Sequence, residues 1–297
     1  MTNPPDQYKK TRLAPTPSGF LHLGNVLSFS ITAALAVKNG AKILLRIDDM
    51  DQPRVNQQYL QDIFDTLNFL EIPWGEGPRN VKEFEDAYSQ LQRMNIYNDA
   101  LTQLRDNDLV FACSCSRTQL RSDSINNDCP CLEKRISLTA ENVSWRLITN
   151  ESNTLEVKNY DGRIIRLTLP AEMKNFVIRR KDGSPSYQLT SVIDDLFYRV
   201  DLVVRGEDLW VSTLAQHELA KALGKNNFRD ITFYHHPLLM EASGKKLSKS
   251  AGATSIRYLR ENGKTPADIY TLIAELTGVN ERVNNWQQLA GLLIKEV

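Results

Sequence analysis

A short strand, a turn built from small residues, a long apolar helix and a second apolar strand open this chain, and that order constrains its fold more than any other feature. Residues 10–14 (Lys-Thr-Arg-Leu-Ala) have the composition of a strand, and Pro15-Thr16-Pro17-Ser18-Gly19 supplies the turn. A helix is predicted from about His22 to Asn39, where Leu, Ile, Ala and Val dominate, with Gly40 as its C-terminal stop. Ala41 to Ile47 is apolar enough for a buried strand. Two strands joined by a crossover helix run parallel, so the pattern predicts an α/β chain with a parallel sheet. Two amphipathic helical stretches are predicted near 55–70 and 82–108.

At 297 residues the chain has room for about two domains of ~150 residues each. Hydrophobic residues make up 41%, which excludes a disordered chain, and no apolar run approaches the ~18 residues of a membrane helix. The N-terminus, MTNPPDQYKK, has no apolar core of a secretory signal. These features predict a soluble, cytoplasmic protein that does not enter a membrane. With 36 Lys+Arg against 36 Asp+Glu the net charge is zero, which argues against a nonspecific nucleic-acid coat but leaves room for a local basic groove.

From Leu109 to Arg180 the character changes to a cysteine cluster followed by short β-like runs, Ser144–Ile148 and Arg163–Leu169, which reads as a small inserted domain. Helical and strand-like segments resume at Tyr187–Asp195 and Asp201–Arg205. The expected division is a first half of the main domain over 1–109, an insertion over 110–186, a second half over 187–240, and a loop with a short helical C-terminal region over 241–297.

All 4 Cys of the chain fall in one window, as Cys113-Ser-Cys115 and Cys129-Pro-Cys131. Without secretory context disulfides are disfavoured. Two tight thiolate pairs suit one tetrahedral, structural Zn; the alternative is a set of free cysteines.

Phosphate-binding templates mostly fail. Gly75-x-Gly77 is followed by Asn80 where a dinucleotide fingerprint needs Gly, and Gly263-Lys264-Thr265 has Tyr258 where a P-loop needs Gly. What remains is the first strand–turn–helix. Its small residues let a ligand approach the backbone, and its helix N-terminus offers free N–H groups, with His22 and Asn25 in the first turn. A second basic element lies at Lys245, Lys246 and Lys249, flanked by Gly244, Ser248, Ser250 and Gly252; across 240–264 six Lys/Arg stand against two Glu. Lysine suits phosphate as a flexible point charge.

These segments carry a resemblance. Ala14-Pro15-Thr16-Pro17-Ser18-Gly19-Phe20-Leu21-His22-Leu23-Gly24-Asn25 resembles the HIGH signature of class I aminoacyl-tRNA synthetases, and Lys246-Leu247-Ser248-Lys249-Ser250 resembles their KMSKS loop. Arg46-Ile47-Asp48-Asp49-Met50-Asp51 is similar to the RIEDTD segment of the glutamyl group, which Trp74-Gly75-Glu76-Gly77-Pro78 and Val204-Arg205-Gly206-Glu207-Asp208 also match. The 47 residues after Ser250 are expected to be too few for an independent anticodon-binding domain. That points to the short paralogues, the glutamyl-Q tRNA(Asp) synthetase family. Asn25 stands at the second His of HIGH, Asp48 replaces the usual Glu, and Cys129-Pro-Cys131 departs from the family's metal spacing.

The resemblance implies an α/β, Rossmann-like class I catalytic domain with an inserted small zinc-bearing α+β domain and a short helical C-terminal region. It implies a ligase that activates L-glutamate with Mg-ATP and esterifies it to queuosine in the anticodon stem-loop of tRNA(Asp). The alternatives are a truncated glutamyl-tRNA synthetase acting on tRNA(Glu) and an inactive tRNA-binding paralogue. It implies His22, Lys246 and Lys249 as catalytic residues. Pro15, Thr16, Ser18, Gly19, His22, Gly24, Asn25, Leu247, Ser248 and Lys249 would bind ATP. Arg12, Ala14, Thr16, Asp48, Tyr187 and Arg205 would bind glutamate, and Cys113, Cys115, Cys129 and Cys131 the metal.

Overall fold

The computed structural model describes residues 8–116, 118–119, 129–150, 152–240 and 255–294. Along the chain the main elements are β1 (Lys10–Leu13), α1 (Leu23–Asn39), β2 (Lys42–Leu45), α2 (Gln57–Phe69), α3 (Met94–Asp106), β3 (Val110–Cys113), β4 (Ser144–Leu147), β5 (Thr154–Asn159), β6 (Ile164–Thr168), β7 (Val177–Arg179), α4 (Tyr187–Phe197), β8 (Leu202–Gly206), α5 (Trp210–Ala222), β9 (Thr232–His236), α6 (Ile256–Glu261), α7 (Pro266–Leu276) and α8 (Trp286–Leu293). They form two compact units. The first comprises Met1–Gln92, Val200–Asp208 and Phe233–Val297; the second comprises Arg93–Arg199 and Leu209–Thr232.

In the first unit the strands lie in the order β2-β1-β8-β9. β1 pairs in parallel with β2, Arg12 opposite Leu44, and with β8, Thr11 opposite Leu202. The expected βαβ crossover is therefore present. Helix α1 is apolar on nearly every side: Val26, Ala33, Leu35 and Ala36 are wholly buried. It packs against β1, β2 and β8 on one flank and α7 and α8 on another. A helix walled in all round needs no polar face, and each large side chain it buries contributes roughly 1.5–3 kcal/mol. His22 is its N-cap, and Gly40, at φ 65°, closes it in the left-handed conformation that only glycine adopts without strain.

The expected helix over 82–108 is not continuous. One helical turn at Val81–Glu83 passes into a wide turn at Phe84–Tyr88 and a tight one at Gln90–Arg93, and only Met94–Asp106 is regular. The break has a tertiary cause. Ser89 Oγ and the Gln90 N–H both donate to buried Asp49, at 2.6 and 2.7 Å, and Gln90 Oε1 accepts from the Met50 N–H at 2.7 Å. A straight helix could not present all three groups to the 49–50 segment.

The second unit contains an antiparallel sheet, β3-β4-β7, and the hairpin β5-β6. Among the described residues no helix is long and apolar enough to cross a membrane.

Candidate active site

The ends of β1 and β2 hold the turn that precedes α1. The Arg46 N–H donates to Leu13 O and the Asp48 N–H to Pro15 O, both at 2.9 Å, so the chain leaving β2 runs alongside the chain leaving β1. Pro15 and Pro17 are buried, Thr16 is exposed, and Ala14, Ser18 and Gly19 lie between.

At the helix N-terminus His22 Nδ1 accepts the Gly24 N–H at 3.1 Å, and Asn25 Oδ1 accepts the His22 N–H at 3.1 Å. This reciprocal cap satisfies two helix donors. It also assigns the histidine proton: a neutral imidazole that accepts at Nδ1 carries its hydrogen on Nε2, which makes Nε2 the donor toward any ligand at the turn. Asn25 uses its oxygen for the cap, and its amide nitrogen is the part that can still donate. A Cβ at Gly24 would stand 3.0 Å from the His22 ring, so a side chain there would press on the ring that caps the helix.

Asp48 is buried and clasped by Arg46, with Nε to Oδ1 at 2.7 Å and Nη2 to Oδ2 at 3.0 Å. Sequence reasoning placed Arg46 in a signature without giving it a role; alternate residues of an extended segment share a side, and that spacing was the available signal. Asp49 is a clamp on Ser89 and Gln90, and burial pushes its carboxyl above the ordinary range against those hydrogen bonds.

Arg12 on β1 and Arg205 on β8 are both buried, at 4% and 3% exposure. Arg12 Nη1 donates to Val204 O at 3.1 Å, and the Arg205 guanidinium lies over the Phe233 ring, 5.1 Å from its centroid. His235, two residues along β9, stacks on Phe233 at 6.0 Å. Burial drives the His235 imidazole down to about 3, and the charges of Arg205, His236 and Arg12 add to the effect. One neutral histidine thus stands among two buried guanidiniums, a region built to attract an anion. No motif in the sequence marked Phe233 or His235.

Tyr187 belongs to the second unit, where it is the first residue of α4 after the cap Ser186, and it is 40% exposed. Lys246, Leu247, Ser248 and Lys249 lie outside the described residues. Ser255, the next residue described, forms an antiparallel bridge with His22, and the Ile256 N–H donates to Leu21 O at 2.8 Å.

In the second unit the four cysteines converge. Their Sγ atoms all lie within 4.8 Å of one another, with Cys113 and Cys129 at 3.3 Å and Cys115 and Cys131 at 3.4 Å. Four thiolates around Zn at ~2.3 Å stand about 3.8 Å apart in a regular tetrahedron, so the set fits one ion. Burial raises the Cys115 thiol to about 11. At Cys131 burial acts the same way, but bonds from the Ser114 N–H and from the Cys115 and Ser114 side chains win and bring it to about 6.

The family model for tRNA synthetases class I (E and Q), catalytic domain, matches residues 9–291. The chain belongs to this synthetase family. A Glutamate–tRNA ligase 2 of Nitrosococcus oceani is 31% identical over 90% of the chain, which spans 59% of that relative. A Glutamyl-Q tRNA(Asp) synthetase of Synechococcus sp. is 35% identical over 89% of the chain and 81% of its own length. The chain spans less than two thirds of the glutamate–tRNA ligases it matches. The solved glutamate–tRNA synthetase of Elizabethkingia anophelis superposes with a TM-score of 0.73 at 21% identity, over 95% of this chain and 65% of that one, which establishes the class I catalytic fold. Membership of the synthetase family makes the α1 turn, the Arg12–Arg205 region and Asp48 the natural candidates for the reaction.

Proposed function

We propose that the chain activates L-glutamate with Mg-ATP and transfers the glutamyl group to queuosine in the anticodon stem-loop of tRNA(Asp). The observation that carries the amino-acid part is the pair of buried guanidiniums, Arg12 and Arg205, acting on one neutral histidine. Two forks prefer a side-chain carboxylate to an amide, because only the carboxylate returns charge and bidentate acceptors. Asp48, oriented by Arg46, takes the α-ammonium, and Ala14 and Thr16 complete the glutamate contacts that the first unit supplies.

In the first step a glutamate α-carboxylate oxygen attacks the α-phosphorus of ATP. The bond to the bridging oxygen breaks, and pyrophosphate leaves with the electron pair. Negative charge gathers on the phosphoryl oxygens, where placed donors do most of the work. His22 Nε2–H, the α1 N-terminal amides and Lys249 supply them, Lys246 attends the outer phosphates, and Pro15, Ser18, Gly19, Gly24, Asn25, Leu247 and Ser248 shape the nucleotide seat. In the second step a hydroxyl of the queuosine ring diol attacks the acyl carbon and releases AMP.

The insertion, 110–186, would present the RNA, stiffened by zinc held at Cys113, Cys115, Cys129 and Cys131. Support for the queuosine acceptor is the 81% of the Glutamyl-Q tRNA(Asp) synthetase that the chain spans. The 31% identity to glutamate–tRNA ligases favours tRNA(Glu) as the alternative acceptor. The deciding experiment is labelled glutamate offered with tRNA(Asp) from queuosine-competent and queuosine-deficient cells, and with tRNA(Glu). Base-labile label only on the queuosine-bearing tRNA(Asp) is expected. Equal labelling of both tRNA(Asp) preparations, or label on tRNA(Glu) alone, rejects the acceptor, and absence of glutamate-dependent pyrophosphate exchange rejects the activation step.

A further inference from the structure

The peptide just before the cap residue is gripped from both sides. Leu21 donates its N–H to Asp62 Oδ2 at 3.1 Å, and its carbonyl accepts the Ile256 N–H at 2.8 Å. Asp62 lies on α2 and is 2% exposed; Ile256 opens α6, the first described helix after Lys246 and Lys249 in the chain. The same α6 lays the Arg257 guanidinium over Phe20, 4.8 Å from the ring centroid, and Phe20 packs edge-on against Tyr59 of α2. The turn at 20–22, α2 and α6 therefore interlock around Leu21.

Asp62 Oδ1 is buried and makes no hydrogen bond of ordinary geometry among the described residues. Burial pushes the carboxyl above its usual range, while the Leu21 N–H, Arg260 and the Thr66 side chain one turn on favour its charged form. What faces Oδ1 is Arg260 of α6, whose Nη2 lies 3.8 Å from it and as far from Asp65 Oδ2, and whose guanidinium carbon stands 5.8 Å from the Phe69 ring centroid. Burying a carboxylate is costly, and one N–H needs only a neutral acceptor. An asparagine would serve Leu21 equally well. What the charge adds is attraction to Arg260, and through it to the helix that follows the signature lysines.

We propose that Asp62 is a positioning residue which, acting with Arg260, makes the placement of the His22 cap depend on the seating of α6. Nucleotide held at the α1 N-terminus would thereby be seated through Leu21 according to the position of α6. The catalytic part of this inference rests on the reading of His22 given above; the mechanical part does not.

The test uses the full chain and the variants Asp62→Asn, Arg260→Met, Arg260→Lys and Asp62→Asn/Arg260→Met. Hydrogen exchange of the peptide spanning 20–24 reads the coupling, and glutamate-dependent ATP–pyrophosphate exchange reads catalysis. Asp62→Asn and Arg260→Met should each speed amide exchange at 20–24. Each should also lower kcat roughly tenfold while leaving KM for glutamate within about twofold, the pattern of a displaced reacting group. The double variant should be no worse than either single, because both break one link, and Arg260→Lys should recover most of the loss. Wild-type amide exchange at 20–24 in Arg260→Met, or losses that multiply in the double variant, would overturn the proposal. If the wild-type chain shows no pyrophosphate exchange, the function reading falls, and the amide exchange alone then decides the coupling.

Discussion

Arg46 forks onto both carboxylate oxygens of Asp48, at 2.7 and 3.0 Å, and the two side chains are 3% and 7% exposed. An ionised carboxylate has about four acceptor positions, and the fork fixes the direction in which they point. Lysine cannot reproduce a fork. Arg46→Lys should raise KM for glutamate by roughly tenfold with a smaller change in kcat, measured by pyrophosphate exchange. Arg46→Met strands a buried charge and should cost about 3–5 kcal/mol in denaturant unfolding.

Arg205→Lys should lower kcat/KM for glutamate by roughly 10²-fold and narrow the gap between glutamate and glutamine, since a point charge distinguishes carboxylate from amide less well than a guanidinium plane does. Pyrophosphate exchange with each amino acid measures both effects. Unchanged discrimination would place the side-chain carboxylate elsewhere.

His235 sets a pH dependence. Its ordinary value is 6.5 and the folded one about 3, so the unfolded chain binds a proton that the folded chain refuses. The stability held above pH 6.5 is therefore lost progressively as pH falls toward 3. His236, also shifted down by burial, acts in the same sense. His235→Gln should flatten the fall of Tm across that window without abolishing it, as thermal melts from pH 7 to 4 would record.

Protein purified without chelator should carry about one Zn per chain, and Cys131→Ser should lower that content and loosen the segment around Cys129–Cys131. Metal analysis and thiol accessibility read this directly. Metal-free protein with four freely reactive thiols would return the cluster to ordinary cysteines.

His22→Ala and Lys249→Ala should each reduce pyrophosphate exchange by roughly 10²-fold, as for loss of one placed donor to a developing charge, while Lys245→Ala should change it little. His22→Ala also removes the cap, worth ~1 kcal/mol. His22→Asn separates the two roles: its oxygen can cap Gly24, so stability should return while activity stays low.

The first crossover was legible because its signals are local. Gly40 ends α1 where a left-handed residue is required, and the apolar strands leave little alternative. The break between Phe84 and Arg93 was not legible, because Asp49 imposes it from about 40 residues away, as shown by its bonds to Ser89 and Gln90. The site divides in the same way. His22, Asp48 and Arg205 sit in contiguous signatures, with Arg12 two residues ahead of the first, and could be named. Phe233 and His235 gain their meaning only when β9 joins β8, and Asp62 only when α2 and α6 meet at Leu21. The lysine signature was the easiest motif to read, yet it lies outside the described residues.

The segment Gly75-Glu76-Gly77 follows the free side of β2. The Gly75 and Glu76 N–H groups donate to Ile43 O, Glu76 O accepts the Leu45 N–H, and the Glu76 carboxylate meets Lys10 at 2.6 Å and Lys42 at 3.1 Å. At Gly77, φ 93°, a Cβ would stand 2.2 Å from Leu45 O. An edge strand with bare donors and acceptors invites a strand from another molecule, the first step toward aggregates. Here the chain supplies its own blocking segment, and a single glycine lets it lie close enough to seal that edge. Any larger residue at position 77 would lift the seal, so the damage from such a substitution should appear first as lost solubility rather than as lost catalysis.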